Sequence, residues 1–527
     1  MDYVPLAVDI LAHLSQMTSP MLLWEEWNSK QTKVIQMGQM HRLSNLEYSI
    51  QLSIDCQRMT ANPSAKSLLG VLSMLPDGLH IKQLKQFQGM LFDVDITLCL
   101  QTLQQCSLIK FTEERYQLHP IVRHVCSNQN LIIVVHETIV KDFYINLASK
   151  SYDPSPETCR EILLEVNNIK TVLLDLLQSN YNDQSKLIDA LISFTWFQIR
   201  IGNHSDKLIS QAVHFVQESQ GAIGLLITCL SIWGVVYKEA RKVELAEEKL
   251  KEAERLCQSS IHLNSHSHGE ILRWLGSTYL MQDAINEAMT CYQSSLSILK
   301  RTDDIVGQGF LLCTLGIIYS RLEQWDEAIA SQQNAIQLHK DLNDNGNSYL
   351  ILGNAHQNLG EIYIQQNRLV EAEAEIQKAL GFQTAWNDIL GQGNSYLLLG
   401  KLYLKLKHPD KAIAACQMAL EFYVVVNDPL SQGDAHCGLG NSYIFLGKLN
   451  KAESSYMTAL ELHKVVKSLQ GQGNNFYGLG RVYMERNELE KARSMFEKAM
   501  SFHHQSQDRL AEQNDQKYLQ KLVTQKE

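Results

Sequence analysis

The stretch Gln308-Gly309, Leu315-Gly316-Ile317-Ile318-Tyr319, Asp326-Glu327-Ala328-Ile329 and Asn334-Ala335-Ile336 decides the fold, because its columns return along the chain. Its second glycine comes back as Gly276, Gly316, Gly360, Gly400, Gly440 and Gly480, at steps of 40, 44, 40, 40 and 40 residues. The tyrosine keeps step as Tyr279, Tyr319, Tyr363, Tyr403, Tyr443 and Tyr483. Two small-residue columns do the same, one from Ala288 to Ala492 and the other from Ser295 through Ala335, Ala379, Ala419 and Ala459 to Ala499. A weaker copy lies upstream at Gly234, Tyr237, Ala246 and Ala253. A fixed period of this length is the mark of a solenoid of repeated supersecondary units.

The residue types name the unit. Gly and Tyr three apart share one face of a first helix, and small residues seven apart form a stripe two turns long on a second. Small residues at both contacts let the paired helices approach closely. The pattern Leu-Gly-x-x-Tyr…Ala…Ala resembles the tetratricopeptide repeat, with about six residues more than its usual 34. The predicted fold is therefore an all-α superhelix of about seven repeats. The doublets Asp303-Asp304, Asn343-Asp344, Asn387-Asp388 and Asn427-Asp428 read as stops of the second helices. The longer repeat is similar to those of polarity adaptors, kinesin light chains and NLR-like sensors.

Composition bounds the rest. A chain of 527 residues holds two or more domains. Hydrophobic and charged contents of 45% and 20% are those of a water-soluble globular protein. A formal charge of −10 disfavours nucleic acid and anionic membrane as partners. The absence of a long apolar run and of a basic leader points to a cytoplasmic protein. Eleven cysteines without a Cys-x-x-Cys pair read as dispersed reduced thiols.

Upstream of the repeats, residues 1–43 read as helical. Residues 44–130 carry helices over Ser44–Asp55, Ser64–Leu75 and Asp93–Cys106, then a hairpin of Ser107–Phe111 and Arg115–Leu118. Three helices and a hairpin suggest a winged-helix-like module. Seven Lys/Arg balance seven Asp/Glu between Ser44 and Cys126, and the helix ahead of the hairpin has no basic residue. It lacks the charge for phosphate contacts, so packing is preferred to DNA reading. Residues 131–218 read as a helical linker and solenoid cap, 219–507 as the repeat domain, and 508–527 as a C-terminal helix and tail.

The stretches Val4-Pro5-Leu6-Ala7, Ser44 to Ile50, Leu72-Ser73-Met74-Leu75-Pro76-Asp77-Gly78, Leu118-His119-Pro120-Ile121-Val122-Arg123 and Glu165-Val166-Asn167-Asn168-Ile169 resemble the back half of an NB-ARC region. They are most similar to the repeat-bearing NLR-like STAND proteins of fungi. That resemblance implies that Pro5 and His119 occupy positions that contact nucleotide in the family. Tyr3-Val4 replaces Gly-Leu, however, and Leu118-His119-Pro120 replaces Met-His-Asp. No Gly-x4-Gly-Lys-Ser/Thr loop occurs, so the two are expected to be vestigial contacts in a truncated paralogue or an incomplete chain that does not hydrolyse nucleotide.

No other chemistry declares itself, and no catalytic residue, metal or cofactor is expected. Gly391-Gln392-Gly393 and Gly471-Gln472-Gly473 read as inter-repeat turns. His262, His266 and His268 read as solvated loop residues without a zinc spacing. Recognition remains. In the repeat family the first helices line a concave groove, and numbering from the Leu-Gly glycine gives Asn354, Gln357, Glu361, Asn394, Leu397, Lys401, Asp434, Asn441, Asn474, Tyr477 and Arg481 as its candidate residues. The polar row Asn354, Asn394, Asp434 and Asn474 suits either a partner's backbone or helix capping. A chaperone-type carboxylate clamp is disfavoured, because Cys437 stands where Lys should accompany Asn441. The expected function is binding of a protein or peptide by the sensor half of an NLR-like protein, monomeric in isolation. A free-standing adaptor and a nucleotide switch with its P-loop restored are the alternatives.

Overall fold

The structure, a computed structural model, describes Met21 and residues 42–91, 95–129, 131, 134–152, 154–179, 181, 183–219, 221–260, 265–340, 346–506 and 508–524. The helical reading of residues 1–43 and the Pro5 assignment therefore fall almost wholly outside the described residues. The chain divides into two compact units, residues 1–263 and 264–527.

The first unit opens with α1 (Arg42–Ile54), α2 (Gln57–Ala61) and α3 (Pro63–Met74). Asn62 caps α3 by accepting from the Ala65 amide, and Pro63 takes the first turn, where its missing N–H costs nothing. Next come β1 (Leu79–His80), α4 (Ile81–Leu91), α5 (Ile96–Gln105), β2 (Ile109–Thr112) and β3 (Arg115–Leu118). The predicted hairpin is present, with Ile109 opposite Leu118 and Thr112 opposite Arg115. The two-residue β1 adds a third antiparallel strand, giving the order β1-β3-β2. Seven further described helices complete the unit: α6 (Pro120–Asn128), α7 (Val134–Ser149), α8 (Pro156–Gln178), α9 (Gln184–Arg200), α10 (Lys207–Glu218), α11 (Ile223–Glu239) and α12 (Val243–Gln258). The last two are the weak upstream copy, in which Gly234 meets Leu250 across the helix pair.

The second unit is a run of helix pairs: α13 (His266–Met281) with α14 (Ile285–Arg301), α15 (Ile305–Arg321) with α16 (Trp325–His339), and α17 (Gly346–Gln365) with α18 (Leu369–Ala385). The run continues with α19 (Ile389–Lys405) and α20 (Pro409–Val425), α21 (Pro429–Phe445) and α22 (Leu449–Val465), then α23 (Leu469–Glu485) and α24 (Leu489–Gln505). From α19 to α24 every helix has 17 residues and each starts 20 after the last, which is the origin of the 40-residue step. The 44-residue step falls between α16 and α17. A final helix, α25 (Arg509–Thr524), keeps the first-helix register and caps the array.

The columns do what their chemistry requires. Ala288, Ala328, Ala372, Ala412, Ala452 and Ala492 are fully buried, as are Ser295, Ala335, Ala379, Ala419, Ala459 and Ala499. A Cβ at Gly440 would lie 2.7 Å from the Tyr456 ring, and one at Gly480 would lie 2.8 Å from Phe496. These two glycines are thus sockets for large side chains of the second helix, whereas Gly400 faces the smaller Cys416. The tyrosine column bridges repeats: Tyr403 donates to Glu373 at 2.9 Å and Tyr483 to Glu453 at 2.6 Å.

The doublet Asn343-Asp344 lies outside the described residues, and the other three split into two jobs. Asp303, Asn387 and Asn427 take left-handed φ of 53°, 58° and 52° and end the second helices. Asp304, Asp388 and Asp428 then cap the next first helix, as Asp304 does by accepting from the Gly307 amide at 2.9 Å. Two expectations need correction. The Gln-Gly doublets are not turns, because Gln392-Gly393 and Gln472-Gly473 lie inside α19 and α23. His266 and His268 are not loop residues, since Ser265 caps α13 ahead of both and His268 is buried.

Candidate functional site

The successive first helices α15, α17, α19, α21 and α23 pack on one another, and their polar side chains cross between them. Ser320 donates to Gln365 at 2.9 Å, the Lys405 ammonium to the Ile364 carbonyl at 2.8 Å, and Arg481 to Asn441 at 3.0 Å. Successive second helices touch less extensively. An array closer on one side than the other curves, with the first helices on the inside.

The candidate residues divide by what their side chains already hold. Gln357 accepts from Gln383 at 3.0 Å and from Ser395 at 3.2 Å. Asn394 accepts from the Tyr423 hydroxyl at 2.8 Å, and Asn474 pairs with His503 Nε2 at 3.2 Å. Asn441 accepts from the Tyr456 hydroxyl and from Arg481, both at 3.0 Å. Asp434 faces His463 Nε2 at 3.4 Å. None of the polar row is a cap: Asn354, Asn394, Asp434 and Asn474 lie inside their helices, with the caps at Asp388, Asp428 and Ser468. Leu397 packs on the Tyr423 cluster, and Tyr477 stands edge-on to Phe496 and Tyr518.

Glu361 and Lys401 are exposed, as are Arg321, Gln365, Lys405 and Glu485 along the same helices. Ile317 and Phe445 add apolar surface, 41% and 53% exposed. The face thus offers both charge signs, amides and two apolar side chains. Among the described residues, no group of three or more His, Cys, Asp or Glu is placed to hold a metal.

Beneath this face runs a column that the sequence reading missed. Gly309, Gly353, Gly393, Gly433 and Gly473 receive His339, Gln383, Tyr423, His463 and His503 from the second helices. The signal was available, since these glycines keep the same period seven residues ahead of the first glycine column. His339 Nε2 meets the Ile305 carbonyl at 3.1 Å and Nδ1 meets Ser348 at 3.2 Å. Burial holds its pKa below the usual histidine value.

In the first unit, three of the segments singled out by resemblance, Leu72–Gly78, Leu118–Arg123 and Glu165–Ile169, meet at the turn Leu75–Gly78. Asn168 accepts from the Asp77 amide and donates to the Gly78 carbonyl, both at 3.0 Å. Arg123 donates to the carbonyls of Leu75 at 3.1 Å and Pro76 at 2.7 Å. Glu165 is completely buried and ion-paired with Arg115; it also accepts from Tyr144 at 2.9 Å and Asn168 at 2.6 Å. Burial, then the Glu165 charge, pushes the Tyr144 phenol well above its usual pKa. Gly78 has φ of +72°, and a Cβ there would lie 2.1 Å from the Tyr116 carbonyl oxygen, so no other residue fits the turn. His119 caps α6 by accepting from the Ile121 amide at 3.5 Å.

Comparison with known proteins agrees with this geometry. Family models of the tetratricopeptide repeat match residues 309–385 and 431–503, and residues 393–423. A sequence comparison with curated proteins finds no match. Among solved structures, the chain is similar to a signal transduction ATPase with numerous domains (STAND) protein with a tetratricopeptide repeat sensor from Pyrococcus horikoshii. That likeness has a TM-score of 0.56 at 16% identity, over 90% of this chain and 68% of that one. The apo form of the quorum sensor NprR from B. thuringiensis is similar with a TM-score of 0.50 at 11% identity, over 69% of this chain and 97% of the other. At these identities the likeness is one of fold, and together with the repeat matches it makes the C-terminal part of the chain a tetratricopeptide-repeat solenoid.

Proposed function

We propose that the chain is the ligand-sensing part of an NLR-like STAND signalling protein, and that it binds an extended protein or peptide along the inner face of its first helices. The observation that carries this reading is the exposed row Glu361, Lys401, Lys405 and Phe445 on helices that touch one another. The likeness to a STAND protein with a repeat sensor supports it across both units. So does the meeting of three of the NB-ARC-like segments at the Leu75–Gly78 turn. In this reading His119, already used as a cap, is a vestigial nucleotide contact together with Pro5, and the chain itself performs no chemistry. It acts as a monomer in isolation, in the cytoplasm, without nucleic acid or membrane.

The bonds of Asn394 and Asn474 decide the choice of test. Replacing them would remove contacts to Tyr423 and His503 and so mix packing with binding. A cleaner test places a photo-crosslinking residue at Glu361 or Lys401 on the inner face, and at Lys378 or Met418 on the outer exposed face of second helices. Cross-links to a cellular protein from the inner positions alone are expected. Lys401→Glu should weaken that capture about tenfold, the size of a modest interface contact, with the melting temperature unchanged. Cross-links from the outer positions alone would place the site on the other face.

A further inference from the structure

Cys56 and Cys106 are 50 positions apart in sequence, yet their sulfurs lie 3.7 Å apart. Cys56 is half-buried at the junction of α1 and α2, whereas Cys106, 3% exposed, ends α5. A second contact holds the same two elements together, as Ser53 Oγ donates to the Cys106 carbonyl at 2.6 Å. A disulfide needs a sulfur–sulfur distance of about 2.05 Å. The remaining closure of about 1.7 Å falls on a junction next to a helix of only five residues.

The geometry points to Cys56 and Cys106 as a dithiol modification site, oxidised by hydrogen peroxide to a disulfide that clamps α1–α2 to the end of α5. The reactive partner is the accessible one. The hydrogen bond from the Cys106 thiol, helped by Arg58, holds the Cys56 thiol below its usual range, while the same contact and burial raise that of Cys106. Elsewhere burial pushes the thiols of Cys126, Cys229, Cys313 and Cys416 up to about 12.

The Cys56 thiolate attacks one peroxide oxygen, breaking the O–O bond; hydroxide leaves and takes up a proton as water. Cys106 sulfur then displaces hydroxide from the Cys56 sulfenic acid, and the Cys106 proton leaves with it as a second water. Two thiols and one peroxide give one disulfide and two waters, with two electrons passing from sulfur to oxygen. The site does not depend on the groove reading.

The test uses the full reduced chain, treated with stoichiometric hydrogen peroxide, quenched with N-ethylmaleimide and digested without reductant. The expected result is one cross-linked peptide joining Cys56 to Cys106 and, before alkylation, an intact mass lower by two hydrogens, reversed by dithiothreitol. The melting of the first unit should rise on the order of 5 °C, because the bond closes a long loop. Cys56→Ser should abolish the cross-link, and Cys106→Ser should leave a Cys56 sulfenic acid that dimedone traps. Full alkylation of Cys56 after peroxide, or its pairing with another cysteine, overturns the proposal. If Cys106→Ser does not fold, the wild-type peptide map still decides.

Discussion

At the scale of single residues, the repeats are governed by what each glycine touches. Gly478 and Gly440 hold the Tyr456 ring between them, and a Cβ at Gly478 would lie 2.3 Å from it. Gly381, in α18, has nothing within 4 Å of its missing Cβ. Gly478→Ala should therefore cost about 1–3 kcal/mol through overpacking. Gly381→Ala should instead add about 0.5–1 kcal/mol by restricting the unfolded chain and favouring helix. Urea titrations of the two variants should move in opposite directions. His339 gives a pH prediction. Its folded pKa lies below the ordinary 6.5, so the unfolded chain takes up the proton first. Stability from this site is present above pH 6.5 and is lost as pH falls through that value. His268 and His436 are lowered by burial in the same direction and add to the loss. The next repeat holds Gln383 in the same socket, so His339→Gln should fold and should lose less melting temperature between about pH 7 and 5.5 than the parent chain.

At the scale of elements, the turns were legible as stops but not as paired devices. Lys407 has φ of 60° between α19 and α20, where the next repeat has Gly447 at 67°. The turn closes in the same way in both: the His408 amide reaches the Tyr403 carbonyl at 2.8 Å and the Lys448 amide the Tyr443 carbonyl at 2.9 Å. Lys407→Gly should stabilise by up to about 1 kcal/mol by relieving the left-handed residue, measurable as a rise in melting temperature. Periodicity revealed the helix pairs and the hairpin because local spacing encodes them. It did not reveal β1, whose two residues are too short for a pattern, nor the Glu165 network, whose partners are as many as 91 residues apart. The polar row of the groove was legible as a row, but its bonds to Tyr423 and His503 depend on how two helices face each other. Glu165→Ala would strip Arg115 of its buried partner and should cost about 3–5 kcal/mol, read from the unfolding of the first unit.

At the scale of the solenoid, each repeat gains its stability from its neighbours, so damage at one end should stay there. α25 covers the last pair: Tyr518 stacks on Phe496 at 5.2 Å, Leu522 is buried against it, and Asp515 meets His503 at 2.6 Å. Burial pushes the Asp515 carboxyl above its usual pKa, with His503 pulling it back down. Removing the chain after Ser506 would expose Phe496 and leave His503 without that carboxylate. An unprotected end repeat opens more often, and opening sets the rate of amide exchange. Deuterium uptake in α23 and α24 should therefore rise about tenfold or more on truncation, while α15 to α18 keep their protection. Those inner pairs are not neighbours of α25, and helices pack chiefly on their neighbours along the array. Equal loss of protection along the whole unit would mean that the second unit folds as one cooperative block, and that a ligand in the groove could be felt at either end.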